Sequence, residues 1–318
     1  MSMKPFNVFP YGSKIDFMRL RVVSLAVAAL LMFVAIGAMA YNGFNFALDF
    51  TGGVGIELRF AKQVDVEDVR SSLAEAGFES AQVQNFGTGN DILIRLQEKS
   101  GPGSSAPVSI AEEVRQATST VENPAEVRSS AVISAQVGKE LALNGIWALV
   151  FVVVGFLIYI SFRFELKFAI AAIITTLHDV LIVIGWFALS GHEFDLTVLA
   201  GVLSVMGFSI NDTIVVFDRV RENFRGMRAS PVEVLNASIN QTLSRTVITS
   251  FVAFLTVLAL YIYGGSSLRG MAEAQMIGIV IGTVSTIFVA CPLLKWLGVT
   301  KQDLMPKARD EAALARRP

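Results

Sequence analysis

Six apolar runs, each about as long as a bilayer is thick, constrain this chain more than any other feature. They cover Val22–Tyr41, Leu141–Phe162, Phe168–Leu189, Leu196–Phe217, Val247–Tyr263 and Ala274–Leu297. About 20 helical residues at ~1.5 Å each cross ~30 Å of hydrocarbon. In lipid every backbone polar group must be bonded within its own segment, so each run is expected to be a spanning helix. Composition agrees: 53% of the 318 residues are hydrophobic and 17% are charged, where soluble domains carry about 25%. The first run exceeds the ~7–15-residue core of a signal peptide and reads as a retained anchor, although Ala38-Met39-Ala40 has the form of a cleavage site.

The basic residues set the orientation. Residues 1–21 carry Lys4, Lys14, Arg19 and Arg21; Arg163 and Lys167 separate runs two and three; Arg219, Arg221, Arg225, Arg228 and Arg245 lie between four and five. Lys295, Lys301, Lys307, Arg309, Arg316 and Arg317 follow or close the sixth. The short loops opposite hold Arg269 and His192. Both termini (1–21 and 298–318) are therefore expected in the cytoplasm and residues 42–140 outside, in the periplasm.

That outer segment has eight Lys/Arg against fourteen Asp/Glu over 41–140 and no spanning run. Gly55–Phe60 alternates as a strand. Asp65 caps a helix through Ala76, with Asp68 at its third position and Gly77 ending it. Ala81–Phe86 and Asp91–Leu96 form a hairpin around Gly87-Thr88-Gly89-Asn90. After a Gly/Ser/Pro linker, Lys99–Pro107, Ser109 and Glu112 make a capping box for a second helix, and Ala125–Ile133 is the last strand. The expected fold is an α-helical polytopic membrane protein with six transmembrane helices (one at 22–41, five in 141–297) and one periplasmic α+β ferredoxin-like (βαββαβ) domain.

Some functions are excluded early. A net charge of −1 argues against nucleic acid, and the single Cys291 permits neither an internal disulfide nor a Cys-based metal site. No Walker A, Gly-x-Ser-x-Gly or His-Glu-x-x-His pattern occurs, so no enzymatic role, metal or cofactor is expected.

One helix carries an anomaly. Asp212 sits inside the fourth run, between Asn211 and Thr213, where a carboxylate costs ~2.5–3.5 kcal/mol to insert. Such acids mark proton relays; the alternative is a structural hydrogen bond or ion pair. Ala200, Ser204, Gly207 and Asn211 form a small-residue face along which another helix could approach. Arg245 lies on a polar stripe with Ser238, Gln241, Thr249 and Thr256, and could meet Asp212 as an ion pair or be an ordinary cytoplasmic cation. Asp179, beside His178 in the third run, is a candidate for relay or for helix-to-helix contact, as Asn211 and Thr213 are for relay or polar support. His178 reads as a packing or hydrogen-bonding residue, not a metal ligand. The charge-dense Asp218–Asn223 reads as a solvated helix end. Ala274, Gly278, Gly282 and Ser285 form a second small-residue face, suited to packing, including against a partner subunit.

Two stretches then resemble a known family. Leu48-Asp49-Phe50-Thr51-Gly52-Gly53 follows the first run, and Gly207-Phe208-Ser209-Ile210-Asn211-Asp212-Thr213 continues to Asp218-Arg219-Val220-Arg221-Glu222-Asn223. Phe162-Arg163-Phe164-Glu165, His178-Asp179-Val180 and Gln241–Thr246 add to them. The chain resembles the SecD/SecF family of bacterial protein-export subunits, in the resistance-nodulation-division superfamily, on its SecF side. The resemblance implies an inner-membrane protein that pairs with SecD and assists the SecYEG channel and SecA motor. It further implies that the chain pulls or releases the preprotein outside, driven by proton entry. It carries proton transport onto Asp212 and Arg245, and family-motif status onto Asp49, Gly52, Gly53, Asp218, Arg219, Arg221, Glu222 and Asn223. Two departures stand out: Phe208 replaces the family's Tyr, and Ser134-Ala135-Gln136-Val137-Gly138 replaces Gly-Pro-x-Val-Gly. A small-molecule or lipid exporter half-unit, and a passive membrane scaffold, are the rival readings.

Overall fold

The computed structural model describes residues 13–78, 81–86, 90–96, 107–133 and 135–304. The expected hairpin turn at 87–89, the linker over 99–106, residue 134 before the second span and the basic tail from 305 lie outside them. A 3-10 turn, Phe17–Leu20, leads into α1 (Arg21–Asn42). A connector follows, with β1 (Asn45–Phe46) and a single helical turn, α2 (Leu48–Thr51). The α+β domain comprises β2 (Gly53–Phe60), α3 (Val66–Glu75), β3 (Gln82–Phe86), β4 (Asp91–Leu96), α4 (Pro107–Thr118) and β5 (Ala125–Ile133). The chain continues through α5 (Ala135–Arg163), α6 (Leu166–Ser190), β6 (Glu193–Phe194), α7 (Leu196–Gly226), α8 (Pro231–Tyr263), α9 (Ser266–Ser285) and α10 (Cys291–Trp296).

Among the described residues, six helical stretches are long and apolar enough to cross a membrane, and each overlaps one expected run. Helix α8 starts well before its apolar run because Ser230 and Glu233 form a capping box with Pro231 in the first turn. This extension receives the N-terminal segment: Asn240 Oδ1 accepts from Ser13 Oγ (2.9 Å) and Ile15 N (3.0 Å), and Asn236 Oδ1 from Phe17 N (2.8 Å). Arg245, just before the apolar run, is therefore interior to a long helix.

The most apolar stretches of α6, α7 and the sixth span are 61%, 50% and 67% buried, against 11%, 6% and 11% for α1, α5 and α8. The first three form the centre of the bundle. Glycine permits their approach: Gly201 of α7 lies against Met271 and Ala274, Gly278 of α9 against Val205, and Gly185 of α6 against Ala35, with no room for a side chain at any of the three. The Ala274–Ser285 small-residue face thus packs within this chain, against α7. The other expected face does not. Ala200, Ser204, Gly207 and Asn211 are exposed, and nothing approaches Gly207 within 4 Å of where a Cβ would sit. Between α9 and α10, a π turn spans Thr286–Ala290; Pro292 has no N–H to continue the α-helical ladder there.

The domain sheet runs in the order β3-β4-β2-β5 with every neighbouring pair antiparallel, as the β-α-β-β-α-β alternation predicts. Ile56, Leu58 and Phe60 point to a core shared with Val69, Leu73, Ile92, Ile94 and Val114. Helix α3 begins as expected, with Asp65 accepting from Glu67 N at 2.9 Å. Helix α4 does not: it opens at Pro107, whose missing N–H suits a first turn. Ser109 therefore lies inside the helix, and Glu112 accepts from Arg115 Nε at 2.8 Å.

Candidate membrane-embedded acid site

Helix α7 carries the site, and its N-terminus is tied down by two acids. Asp195 Oδ1 accepts from Val198 N (2.7 Å) and Thr197 Oγ1 (2.7 Å), and Asp49 Oδ2 from Leu196 N (3.3 Å). Carboxylates here satisfy free N–H groups and oppose the helix dipole. Asp49 is placed by the turn α2 and the two glycines after it, at φ +71° for Gly52 and +135° for Gly53, a region other residues rarely adopt. Gly138 of α5 lies against the backbone of Phe50 and Gly52, where a Cβ would contact Phe50 O at 3.0 Å. The same connector pairs in parallel with β6, Asn45↔Glu193 and Phe46↔Phe194. Glu193 also forms an ion pair with Arg95 of β4. Burial lowers the Arg95 guanidinium pKa, and the charges of Asp195 and Asp49 oppose that shift. The α+β domain, the connector and the start of α7 are thus joined by one charged cluster.

Further along α7, Asp212 is 4% exposed, and its Oδ2 is buried without a hydrogen-bond partner. Arg245 and Thr246 of α8 act on it electrostatically. Arg245 is nevertheless on the exposed side of α8 and, among the described residues, makes no ion pair within 4.0 Å, so the expected carboxylate–guanidinium pair is not formed in this chain. The polar stripe read on α8 splits in two. Ser238, Thr242, Thr246 and Ser250, four residues apart, face inward, while Gln241, Arg245, Thr249 and Thr256 lie outward. Small hydroxyls fit between close helices and bond their own backbone, as Thr242 does to Ser238 O at 3.0 Å; a guanidinium does not fit there. Thr246 Oγ1 is buried and is the hydroxyl directed at the Asp212 carboxyl, short of a well-formed hydrogen bond.

Asp179 is fully buried and joins the three central helices. Its Oδ2 accepts from Ser209 Oγ of α7 (2.6 Å) and Ser285 Oγ of α9 (2.7 Å), and its Oδ1 lies 2.9 Å from His178 Nδ1. Thr213 is buried, with Oγ1 3.4 Å from Thr286 Oγ1 in the π turn, whereas Asn211 faces outward. The sequence reading missed Thr246 and Ser209; the spacing of Ser209, three residues before Asp212 on one helix face, was the available signal.

At the opposite end of α7, the Asp218–Asn223 motif ties loops together. Asp218 pairs with Arg163 (2.8 Å) and Arg221 with Glu165 (3.2 Å), both guanidinium groups lying over the Phe164 ring. Arg219 pairs with Glu222 at 2.8 Å on the surface. Asn223 Nδ2 donates to Ser238 Oγ and Gln241 Oε1, each at 2.9 Å, fixing α7 to α8.

Comparison with known proteins places these features together. A family model described as protein export membrane protein SecD/SecF, C-terminal, matches residues 113–300, and one for the SecD/SecF GG motif matches 37–64, the connector with Gly52 and Gly53. The chain is similar to the protein translocase subunit SecF of Pseudomonas aeruginosa, 43% identical over 298 residues, covering 93% of this chain and 96% of that one. It is 35% identical over 312 residues to the protein translocase subunit SecDF of Brucella abortus, covering 98% of this chain and 41% of the longer protein. The crystal structure of SecDF from Thermus thermophilus, described as a translocon-associated membrane protein, superposes with a TM-score of 0.79 at 38% identity, over 90% of this chain and 39% of that one.

Proposed function

Because this chain belongs to the SecD/SecF family of protein-export membrane proteins, we propose that it works with SecD to move preproteins across the bacterial inner membrane at the expense of the proton motive force. One observation carries the reading: a carboxylate oxygen of Asp212 is buried in a spanning helix with nothing bonded to it. Such an oxygen is costly while ionised and is relieved by a proton. The proton is the coupling ion, and no other cofactor takes part.

In this reading both termini face the cytoplasm and the α+β domain faces the periplasm, as the basic residues require. Protonation of Asp212 removes a charge from α7 and changes its packing. Since Asp49 and Asp195 hold the far end of α7, and Arg95 binds Glu193 beside them, the motion passes to the domain that handles the preprotein. One charge crossing 100 mV yields ~2.3 kcal/mol, a bias of about 50-fold between two conformations.

SecD is the partner that the exposed side of α7 and α8 calls for. Ala200, Ser204, Gly207 and Asn211 offer a close-approach face beside outward-facing Arg245, and polar groups at membrane depth require partners. The relatives in which both subunits are one chain support this pairing. Arg245 then acts on Asp212 of the same chain at the face that SecD covers, and SecYEG and SecA act on the same preprotein. The test is export in cells whose only copy carries Asp212→Asn, with membrane level and SecD co-purification measured alongside. Accumulated precursor with an intact complex is expected. Normal export in that strain refutes the proton reading; normal export with sensitivity to toxic small molecules favours an exporter, and loss of the complex alone favours a scaffold.

A further inference from the structure

The bundle holds a second ionisable pair that the reading above leaves unused. Asp179 Oδ2 receives two hydroxyl donors, Ser209 and Ser285, while Oδ1 faces His178 Nδ1. Three donors converging on one carboxyl suit its anion. An anion at Oδ1 requires the proton on Nδ1, which leaves Nε2 of the neutral imidazole as the nitrogen with a free lone pair. Nε2 is buried and has no hydrogen-bond partner, and His178 is only 6% exposed. A basic nitrogen aimed into the protein interior, with a carboxylate fixing its tautomer from behind, is the arrangement by which an imidazole takes up a proton and is stabilised as a cation.

Resting on the proton-driven reading, we propose that His178 Nε2 is a second proton-binding atom on the transport path and that Asp179 is its positioning residue. The step is a simple uptake. A proton adds to the Nε2 lone pair, the pair changes from net −1 to neutral, and the proton leaves from the same atom. The site communicates with Asp212 through α7, because Ser209 lies three residues, about 4.5 Å along the helix, before it. Other charges near the pair are few. Asp212 faces the bundle from α7, with Arg245 of α8 behind it. Helices α1 and α5, which also pack on α6, have no ionisable side chain over Val22–Ala40 or Leu141–Ile158. In the sixth span Glu273 and Arg269 sit at the domain end, and Cys291 and Lys295 of α10 begin about 9 Å beyond Ser285.

The experiment is proton uptake by proteoliposomes containing the chain with SecD, driven by an imposed pH gradient and measured across external pH 5 to 8. The parent is compared with Asp212→Asn, His178→Gln and Asp179→Asn. The last keeps the side chain's shape but presents an amide N–H to Nδ1, which moves the imidazole proton to Nε2. Both α6 variants are expected to lower uptake by about 100-fold, the low side of what a positioned proton-transfer group contributes, and to flatten the pH profile. Parental uptake and profile in His178→Gln, which leaves the Asp179–Ser209–Ser285 contacts in place, overturn the inference even where Asp179→Asn fails to assemble. Failure of the broader reading looks different: Asp212→Asn would then conduct like the parent, or the parent would not conduct at all.

Discussion

Replacing Gly53 by Ala should unlatch the α+β domain from the bundle, and the structure sets the size of the effect. Gly53 has φ +135°, a conformation that costs a residue with a Cβ about 1–3 kcal/mol. The added methyl would also overlap the carbonyl oxygen of Leu96 and come within 2.9 Å of Leu48 Cδ2. Leu96 ends the β4 ladder opposite Val54, so relieving the overlap weakens about one backbone hydrogen bond, ~0.5–1.5 kcal/mol. The sum, about 2–4 kcal/mol, is a large part of the 5–15 kcal/mol that holds a domain folded. Gly77→Ala is the internal control. Gly77 also has positive φ, +89°, but nothing lies within 4 Å of its Cβ position, so it bears only the conformational term. The assay is limited proteolysis of the domain in membranes over a temperature series. Gly53→Ala should lower the half-cleavage temperature by about 4–8 °C for each kcal/mol, and by clearly more than Gly77→Ala. Equal shifts for the two variants would refute the steric argument, and no shift for Gly53→Ala would refute both terms.

A disulfide formed between Arg95→Cys and Glu193→Cys should hold the domain on the bundle, arresting export under oxidation and restoring it with reductant; export indifferent to the cross-link removes this junction from the coupling route. An acid titration tests the surface of the domain. Hydrogen bonds from Arg115 and Gln116 hold the Glu112 carboxyl down to about 2, below the usual ~4.3. Its contribution is therefore complete above pH ~4.3 and lost as pH falls toward 2. Arg115→Ala should weaken that acid dependence of protease resistance, and an unchanged acid profile in Arg115→Ala would remove the pair from the account.

Much was legible in the sequence because it rests on local or compositional physics. Bilayer thickness selects the six runs whatever their packing, and the change from period 2 to period 3.6 marks β2, α3 and β4 close to their observed bounds. Asp212 stands out because an acid in an apolar run is costly wherever it points. The glycines of the connector entered through the family resemblance alone, and the structure supplies their physical reason, φ +71° at Gly52 and +135° at Gly53.

Which way each helix faces was decided only by the tertiary structure. In soluble proteins polarity separates inside from outside; between lipid and a neighbouring helix that contrast is small, and close packing decides. Two small-residue stripes looked alike in sequence, yet Ala274–Ser285 meets α7 while Ala200, Ser204, Gly207 and Asn211 stay exposed among the described residues. Ser238 and Arg245 seemed to share a stripe on α8, but Ser238 turned inward while Arg245, Thr249 and Thr256 turned outward. The capping of α7 by Asp49, the Arg95–Glu193 pair and the meeting of Asp179 with Ser209 and Ser285 join residues 30 to 147 positions apart. Such contacts have no period in the sequence, because they arise from where separate helices come to rest against each other.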